Sequence, residues 1–477
     1  MQKDSIKCDS ASTLVDELIK LLAGHRAAFR QERVYRRVVA LVFAELFVFA
    51  RHTLTQSLWA LGMLGSDWSA WYRLFSQPRF EEAQLAHHLF GETLPHVRAE
   101  EVYVVATDAT QVPRSSQKMP GTSWLRALRT AIFCRGIHRA QRFLQGAWLP
   151  PIEQGYTRAI PLRFLPAFPA KAVAAGVAAM KEWEAGIAFV SWVRHELDRA
   201  GRMQQWILLL ADGAYDNVDF WRSLPHHTMA LVRTARNRRL RELPPPYTGH
   251  GRRRKYGEVA PKPAEWLKER QGWQHCLVAV RGRYIKHRYQ VHGPYVRERA
   301  AEHPCFLVVV GGANWKAGRR QPKRVKRQPA FYLVSAVEVN GQWQLPLPVA
   351  ELLAWVWQRW ELEVAHREMK SGFGVGEKQC WNMRSAVVSV QWSVWVYALL
   401  LLAGYRCWGW LGGPPTPTRW WHGAKRWSLN TLWRSYRAEL WGQATFRAAF
   451  SSSTSDWPKT EDLLTARHNA VLAAARA

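Results

Sequence analysis

The chain has 477 residues, with 67 Lys+Arg against 37 Asp+Glu for a formal charge of +30, and it is 48% hydrophobic with 27 tryptophans. That much apolar side chain excludes a disordered polycation, and the excess of positive charge calls for a polyanion whose counterions are released on binding. Its six cysteines (8, 134, 276, 305, 380 and 407) form no Cys-x-x-Cys pair, which excludes a structural zinc site and a disulfide framework and suits a reducing compartment.

Length suggests roughly three domains as a starting expectation. The first stretch, 1–97, reads as a helical DNA-binding domain. Lys3, Asp4, Lys7 and Asp9 precede any apolar run, so no signal peptide is expected. Thr13–Ala27 is amphipathic and Val34–Phe49 strongly apolar. Leu54–Leu61 and Trp68–Phe75 are short helical stretches around a Gly62-to-Asp67 turn, with Asp67 as the N-cap of the second. Two helices so joined resemble a helix-turn-helix, a motif whose second helix can enter a major groove.

The pattern then changes. Val102–Asp108 is a β-rich apolar run closed by an acid, and Trp206–Gly213 is a second, closed by Asp212. Candidate strands at Ala131–Cys134 and Phe143–Trp148 lie between them, followed by a helical segment from Ala172 to Ala200. Strand, strand, strand, helix, strand is the start of a mixed α/β sheet. One acid at a strand end ordinarily caps a turn; two, each closing a run buried on both faces, point to a shared site.

Residues 98–230 therefore form the first part of an α/β domain, and 231–344 a β-rich, basic insertion. Its candidate strands are Met229–Arg233, Cys276–Val280, Tyr284–Val291, Phe306–Val310 and Phe331–Val337. Arginine-rich runs at 236–239, 251–255 and 319–327 make a phosphate-contacting surface. No phosphate-cradling glycine loop opens a helix, so nucleotide binding has no support.

Residues 345–411 return to the α/β domain. On one continuous helix Arg359, Glu363 and Lys370 fall within an arc of ~40°, flanked by His366 and Arg367. Leu353, Trp357, Trp360 and Val364 form a separate apolar stripe, and Glu361 and Glu368 face away from Arg359. An i,i+4 Arg359–Glu363 pair also fits an ordinary solvated helix. Ala386–Ala403 is uncharged and nearly long enough to span a bilayer, but it holds Ser389, Gln391 and Ser393 and reads as a buried core helix. The tail, 412–477, is expected to be a separate helical unit, with Trp427, Trp433, Trp441, Arg426, Arg434 and Arg437 suited to subunit or DNA contacts.

These motifs together resemble the DDE-type, cut-and-paste insertion-sequence transposases, in the branch marked by a Tyr-x2-Arg-x3-Glu-x6-Lys signature. Arg359, Glu363 and Lys370 keep its spacing; Asp108 in A-T-D-A-T and Asp212 in A-D-G-A-Y match the two family aspartates. The resemblance, over about residues 30–410, implies a ribonuclease H-like mixed sheet with a β-rich insertion, a helical N-terminal DNA-binding domain and a helical tail. It implies Asp108, Asp212 and Glu363 as catalytic metal ligands for two Mg2+ ions, Mn2+ substituting, with Asp108 bridging. Arg359, Lys370 and Arg367 would hold DNA phosphates, and Trp315 would stack on a displaced base or pack in a small core. The implied partners are the element's terminal inverted repeats and target DNA, bound by a homodimer in the cytoplasm with no membrane. The signature tyrosine is Val356 here, which puts that DNA contact in doubt and keeps open a non-catalytic DNA-binding relic; a host nuclease of the same fold is the third reading.

Overall fold

The computed structural model describes residues 13–116, 119–126, 136–172, 178–247, 249, 252–316, 324–380, 382–414 and 426–442, with only the backbone for 313–316, 324–326 and 441–442. Five helices come first: α1 (Leu14–Gly24), α2 (Glu32–Phe47), α3 (Leu54–Ala60), α4 (Ser69–Ser76) and α5 (Glu82–Gly91). Thr13 starts α1 through a reciprocal cap, its side chain accepting the Asp16 amide while Asp16 accepts the Thr13 amide. Asp67 accepts the Ser69 amide at 2.8 Å ahead of α4.

The sheet begins with β1 (Tyr103–Pro113), β2 (Thr122–Arg126), β3 (Ile137–Trp148) and β4 (Ile160–Pro166), then α6 (Glu182–Arg199), β5 (Ile207–Ala211), α7 (Val218–Arg222) and β6 (Thr228–Arg233). β4, β3 and β1 are antiparallel neighbours, and β1, β5 and β6 run parallel. This is the mixed ribonuclease H-like core expected from sequence. The Ile207–Ala211 run is buried throughout because helical crossovers cover it. The expected strand at Ala131–Cys134 lies outside the described residues. The expected helix from Ala172 is seen from Glu182 onward; Ala170–Ala172 is a 3-10 turn, and 173–177 lie outside the described residues.

β7 (Arg241–Glu242), β8 (Gln274–Val280), β9 (Arg283–Arg297), β10 (Ala300–Val310), β11 (Ala313–Lys316), β12 (Arg324–Arg327), β13 (Ala330–Ser335), β14 (Val337–Val339) and β15 (Gln342–Gln344) follow. Most are not a module of their own. β13 pairs with β6, β10 with β13 and β9 with β10, so one 11-stranded sheet runs β2-β3-β1-β5-β6-β13-β10-β9-β7, with β4 on β3 and β8 on β9. The 231–344 segment continues the core sheet by backbone hydrogen bonds. Gly155 is needed where the β8–β9 turn crosses the β3–β4 connection: its φ is +79°, and a Cβ there would lie 2.7 Å from the Ala279 backbone.

The last helices are α8 (Val349–Gln358), α9 (Trp360–Arg367), α10 (Met383–Trp408) and α11 (Leu429–Gly442). α10 is long and apolar enough to cross a membrane, and 94% of its most apolar window is buried inside the molecule. It lies against β4, and α1, α4, α5 and α11 pack around it. The helices of the first and last segments thus share one core. Trp427, Leu432, Trp433, Tyr436 and Leu440 are buried in it, and Arg437 donates to the Leu46 carbonyl at 2.8 Å. The tail helix is therefore not a separate unit, because its apolar face has the all-round apolar α10 to cover. The Trp441 side chain lies outside the description.

Candidate active site

Register brings the two aspartates together. β1 and β5, neighbours about 4.8 Å apart, pair from Tyr103↔Ile207 to Ala106↔Leu210, and the same register carried two residues on sets Asp212, just past the end of β5, beside Asp108 of β1. Asp212 also caps the short turn after β5, accepting the Ala214 amide at 2.8 Å. Capping and a shared site, weighed as alternatives in the sequence, coexist at this residue.

The third acid arrives from α9. Arg359 ties it to the strands: its guanidinium is 2.9 Å from Glu363 and 3.7 Å from Asp108. Helix geometry differs from the single helix expected over 356–370. α8 ends at Gln358, α9 starts at Trp360, and Glu368–Gly372 closes as a π turn. Buried polar side chains override local periodicity here. Gln358 donates to the Gly155 carbonyl at 3.0 Å, and Glu361 pairs with Arg426. Lys370 falls in the π turn, and Arg367 is exposed.

The apolar stripe is also redrawn. Leu353 and Val364 are buried, but Trp357 and Trp360 are 37% and 48% exposed. Both indoles line a cleft of about 1240 Å³ that also holds Asp212, Glu363, Val356 and the arginines 233, 238, 281, 283, 327 and 359. This is more than the ~300–1,000 Å³ of an ordinary small-molecule pocket. Its far wall is β8, β9, β12 and β13. Trp357 Nε1 donates to His287 Nε2 at 3.4 Å, an acceptor that stays neutral because burial and Arg327 press its pKa down to about 4. Arg238 is turned partly inward onto buried Asp216, while Arg252–Lys255 are exposed. Trp315 lies on β11, level with Val325 of β12; its side chain is outside the description.

Burial pushes the Asp108 carboxyl up to about 7; Asp212, Glu182 and Glu363 push the same way, and Arg359 opposes them. Glu182, in the first turn of α6, was not singled out in the sequence, where nothing but a helix start marks it. Its own pKa is raised by burial and by Asp212, against the pull of Arg142 at 3.5 Å. Gly146 lets α6 approach this closely, since a Cβ there would lie 2.3 Å from the Phe189 ring.

Glu361 and Glu368, the competing carboxylates on the same helical stretch, are accounted for elsewhere. Glu361 pairs with Arg426; Glu368 pairs with buried Arg158 and accepts the Tyr397 hydroxyl at 2.7 Å. Arg426, expected at a subunit or DNA surface, is thus an internal partner of α9.

Among the described residues no three carboxylate, imidazole or thiol groups stand close enough to hold one ion. The donor chemistry nevertheless fits a hard divalent cation. The donors are carboxylates, burial raises Asp108 with the neighbouring acids adding to it, and the cation now among them is the Arg359 guanidinium.

No curated protein matches the sequence. The cryo-EM structure of the piggyBac transposase synaptic complex with hairpin DNA is similar at a TM-score of 0.39 and 10% identity, over 98% of this chain and 87% of that one. That likeness is too distant to bear on mechanism. A family model described as DDE superfamily endonuclease matches residues 25–294, more than half of the chain, and includes Asp108 and Asp212. By that match the chain belongs to the DDE superfamily of endonucleases.

Proposed function

We propose that this endonuclease is a transposase, cutting phosphodiesters at the ends of the element that encodes it and joining a freed 3′-hydroxyl to target DNA. One observation carries the reading: Asp108 within β1 and Asp212 just past the end of β5 stand on adjacent parallel strands, Arg359 links Glu363 to Asp108, and an arginine-lined cleft opens beside them.

Asp108, Asp212 and Glu363 would hold two Mg2+ ions, or Mn2+ in their place. Bound there, such ions activate the attacking oxygen and stabilise the leaving one. The chain's own residues do the rest. A DNA phosphate in the cleft offers Arg359 a bidentate partner of the same charge as its carboxylates, and the exchange would turn both carboxylates toward a cation. Lys370 and Arg367, beyond Glu363, would hold the backbone on one side, and the β8–β9 arginines on the other. Trp357 and Trp360, partly exposed along that basic cleft, would meet bases rather than the core that the apolar stripe implied; Trp315 keeps its proposed stacking role. A homodimer on terminal repeats and target DNA, at the nucleoid in the cytoplasm, completes the proposal.

The test is cleavage of a plasmid carrying the element's own ends, with Mg2+, by wild type and Glu363→Gln at matched DNA binding. Cutting by wild type alone supports the assignment, with a loss of about 10²-fold or more. Equal cutting by both removes Glu363 from the site. Val356 in place of the signature tyrosine favours one rival, a relic that binds ends and cuts under no divalent metal. Cutting without joining would indicate a host nuclease.

A further inference from the structure

The basic cleft lies on the β5–β6 side of β1, and the opposite side carries a feature that the reaction above leaves unused. β1 pairs with β3 as far as Pro113↔Ala140, and β3 runs on past it, paired with β2 from Thr122↔Gln141 to Arg126↔Ile137. Asp108 is level with Gln145, so Ile137 stands eight residues further along β3, about 26 Å at ~3.3 Å per residue. The β2–β3 arm therefore extends beyond the carboxyl end of β1, past the level of Asp108 within that strand, and away from the cleft.

Strand alternation gives the arm one outward face. Trp124 is 63% exposed and sits opposite Arg139; Ile137 is 65% exposed and sits opposite the exposed Arg126. Arg139 is steadied on the strand by donating to the Thr122 hydroxyl at 2.9 Å. Leu125 and His138 turn to the other face, half-buried, and Ala140 is fully buried there. Two large apolar side chains held in water on an edge hairpin are a liability unless something covers them. Each is set beside an arginine on a chain of net charge +30, so the complement is an anionic surface with apolar steps. Arginines next to apolar wedges are how proteins grip a DNA minor groove.

We propose that the β2–β3 arm is a second DNA-binding surface, which grips duplex about eight base pairs from the cut, on the side away from the basic cleft. The spacing is the ~26 Å reach divided by ~3.4 Å per base pair. This rests on the acid cluster being where DNA is cut.

The test uses the full chain and duplexes carrying the element's own ends, trimmed stepwise on either side of the cut. Wild type should lose roughly tenfold in affinity, the size of one well-buried side-chain anchor, once one flank is shorter than about eight base pairs. The Trp124→Ala/Ile137→Ser variant should bind long and trimmed duplexes alike, at the wild-type affinity for the trimmed one, which also shows that it folds. Arg126→Gln should reduce the slope of log affinity against log salt by about 0.9. A variant that keeps the length dependence overturns the arm. So does a hydroxyl-radical footprint of wild type without protection about eight base pairs from the cut, whatever the variants do. Wild type that cuts ends with no length dependence overturns the arm and leaves the transposase reading standing; a chain that neither binds nor cuts overturns that reading.

Discussion

α9 and the turn after it carry three carboxylates, and their two sides have opposite chemistry. Toward the interior, Glu361 and Glu368 are matched by Arg426 and Arg158, with Tyr397 adding a hydroxyl. Toward the cleft, Glu363 is 36% exposed and shares one arginine with Asp108. The inner pairs are saturated by fixed partners and hold the helix in rotation. The outer group is under-neutralised, which is the condition for taking a cation. Residue type does not separate them; the number and origin of their partners does.

The comparison breaks most sharply if inner and outer carboxylates respond alike. Arg426→Ala leaves Glu361 buried and unpaired, which should cost about 3–5 kcal/mol of stability and show as a large fall in Tm. Glu363→Gln should leave Tm nearly unchanged while cleavage is lost. If Arg426→Ala melts like wild type, the inner side is not a clamp.

Asp108 sharpens the electrostatic half. Its folded pKa of about 7 lies above the ordinary ~3.9, so the folded state binds the extra proton between those values. Stability from this group is full below about pH 4 and falls as pH rises through about 7. Asp108→Asn should therefore be more stable than wild type at pH 8 without divalent cation, by up to about 4 kcal/mol, with the gap closed by about pH 4. Mg2+ at pH 8 should raise the Tm of wild type and not of the variant. A gap that widens toward low pH would contradict the burial account.

The smallest expected effect is at the cleft rim. Trp360→Ala should weaken binding to a frayed DNA end by about 1–3 kcal/mol without affecting Tm. Equal loss on a fully paired end would mean that the indole meets backbone rather than bases.

Much of the core was legible in sequence because its signals are local. Val102–Asp108 and Trp206–Asp212 are continuous apolar runs, and a strand buried on both faces leaves no other reading once each ends in an acid. The Arg359–Glu363 spacing survives the break between α8 and α9 because both residues lie within one turn of it. What sequence did not show depends on partners distant in the chain. Glu182 joins the acids only because Gly146 admits α6. Trp357 and Trp360 carry the helical spacing of core residues, yet the bend at Arg359 gives them to the cleft. Arg426 reads as a surface cation until Glu361 is found beneath it, and the strands of 231–344 read as an insert until β13 is found bonded to β6.

That last bond sets a timetable. Leu231 of β6 is paired with Val334 of β13, so a growing chain leaves one side of β6 open until some hundred further residues are made, roughly 5–20 s at ordinary elongation rates. Excising the segment through β13 would leave that open side permanent, a template for adding another molecule's strand. The segment is thus a seal on the nascent sheet, and shortened forms of this protein should be judged first by whether they stay in solution.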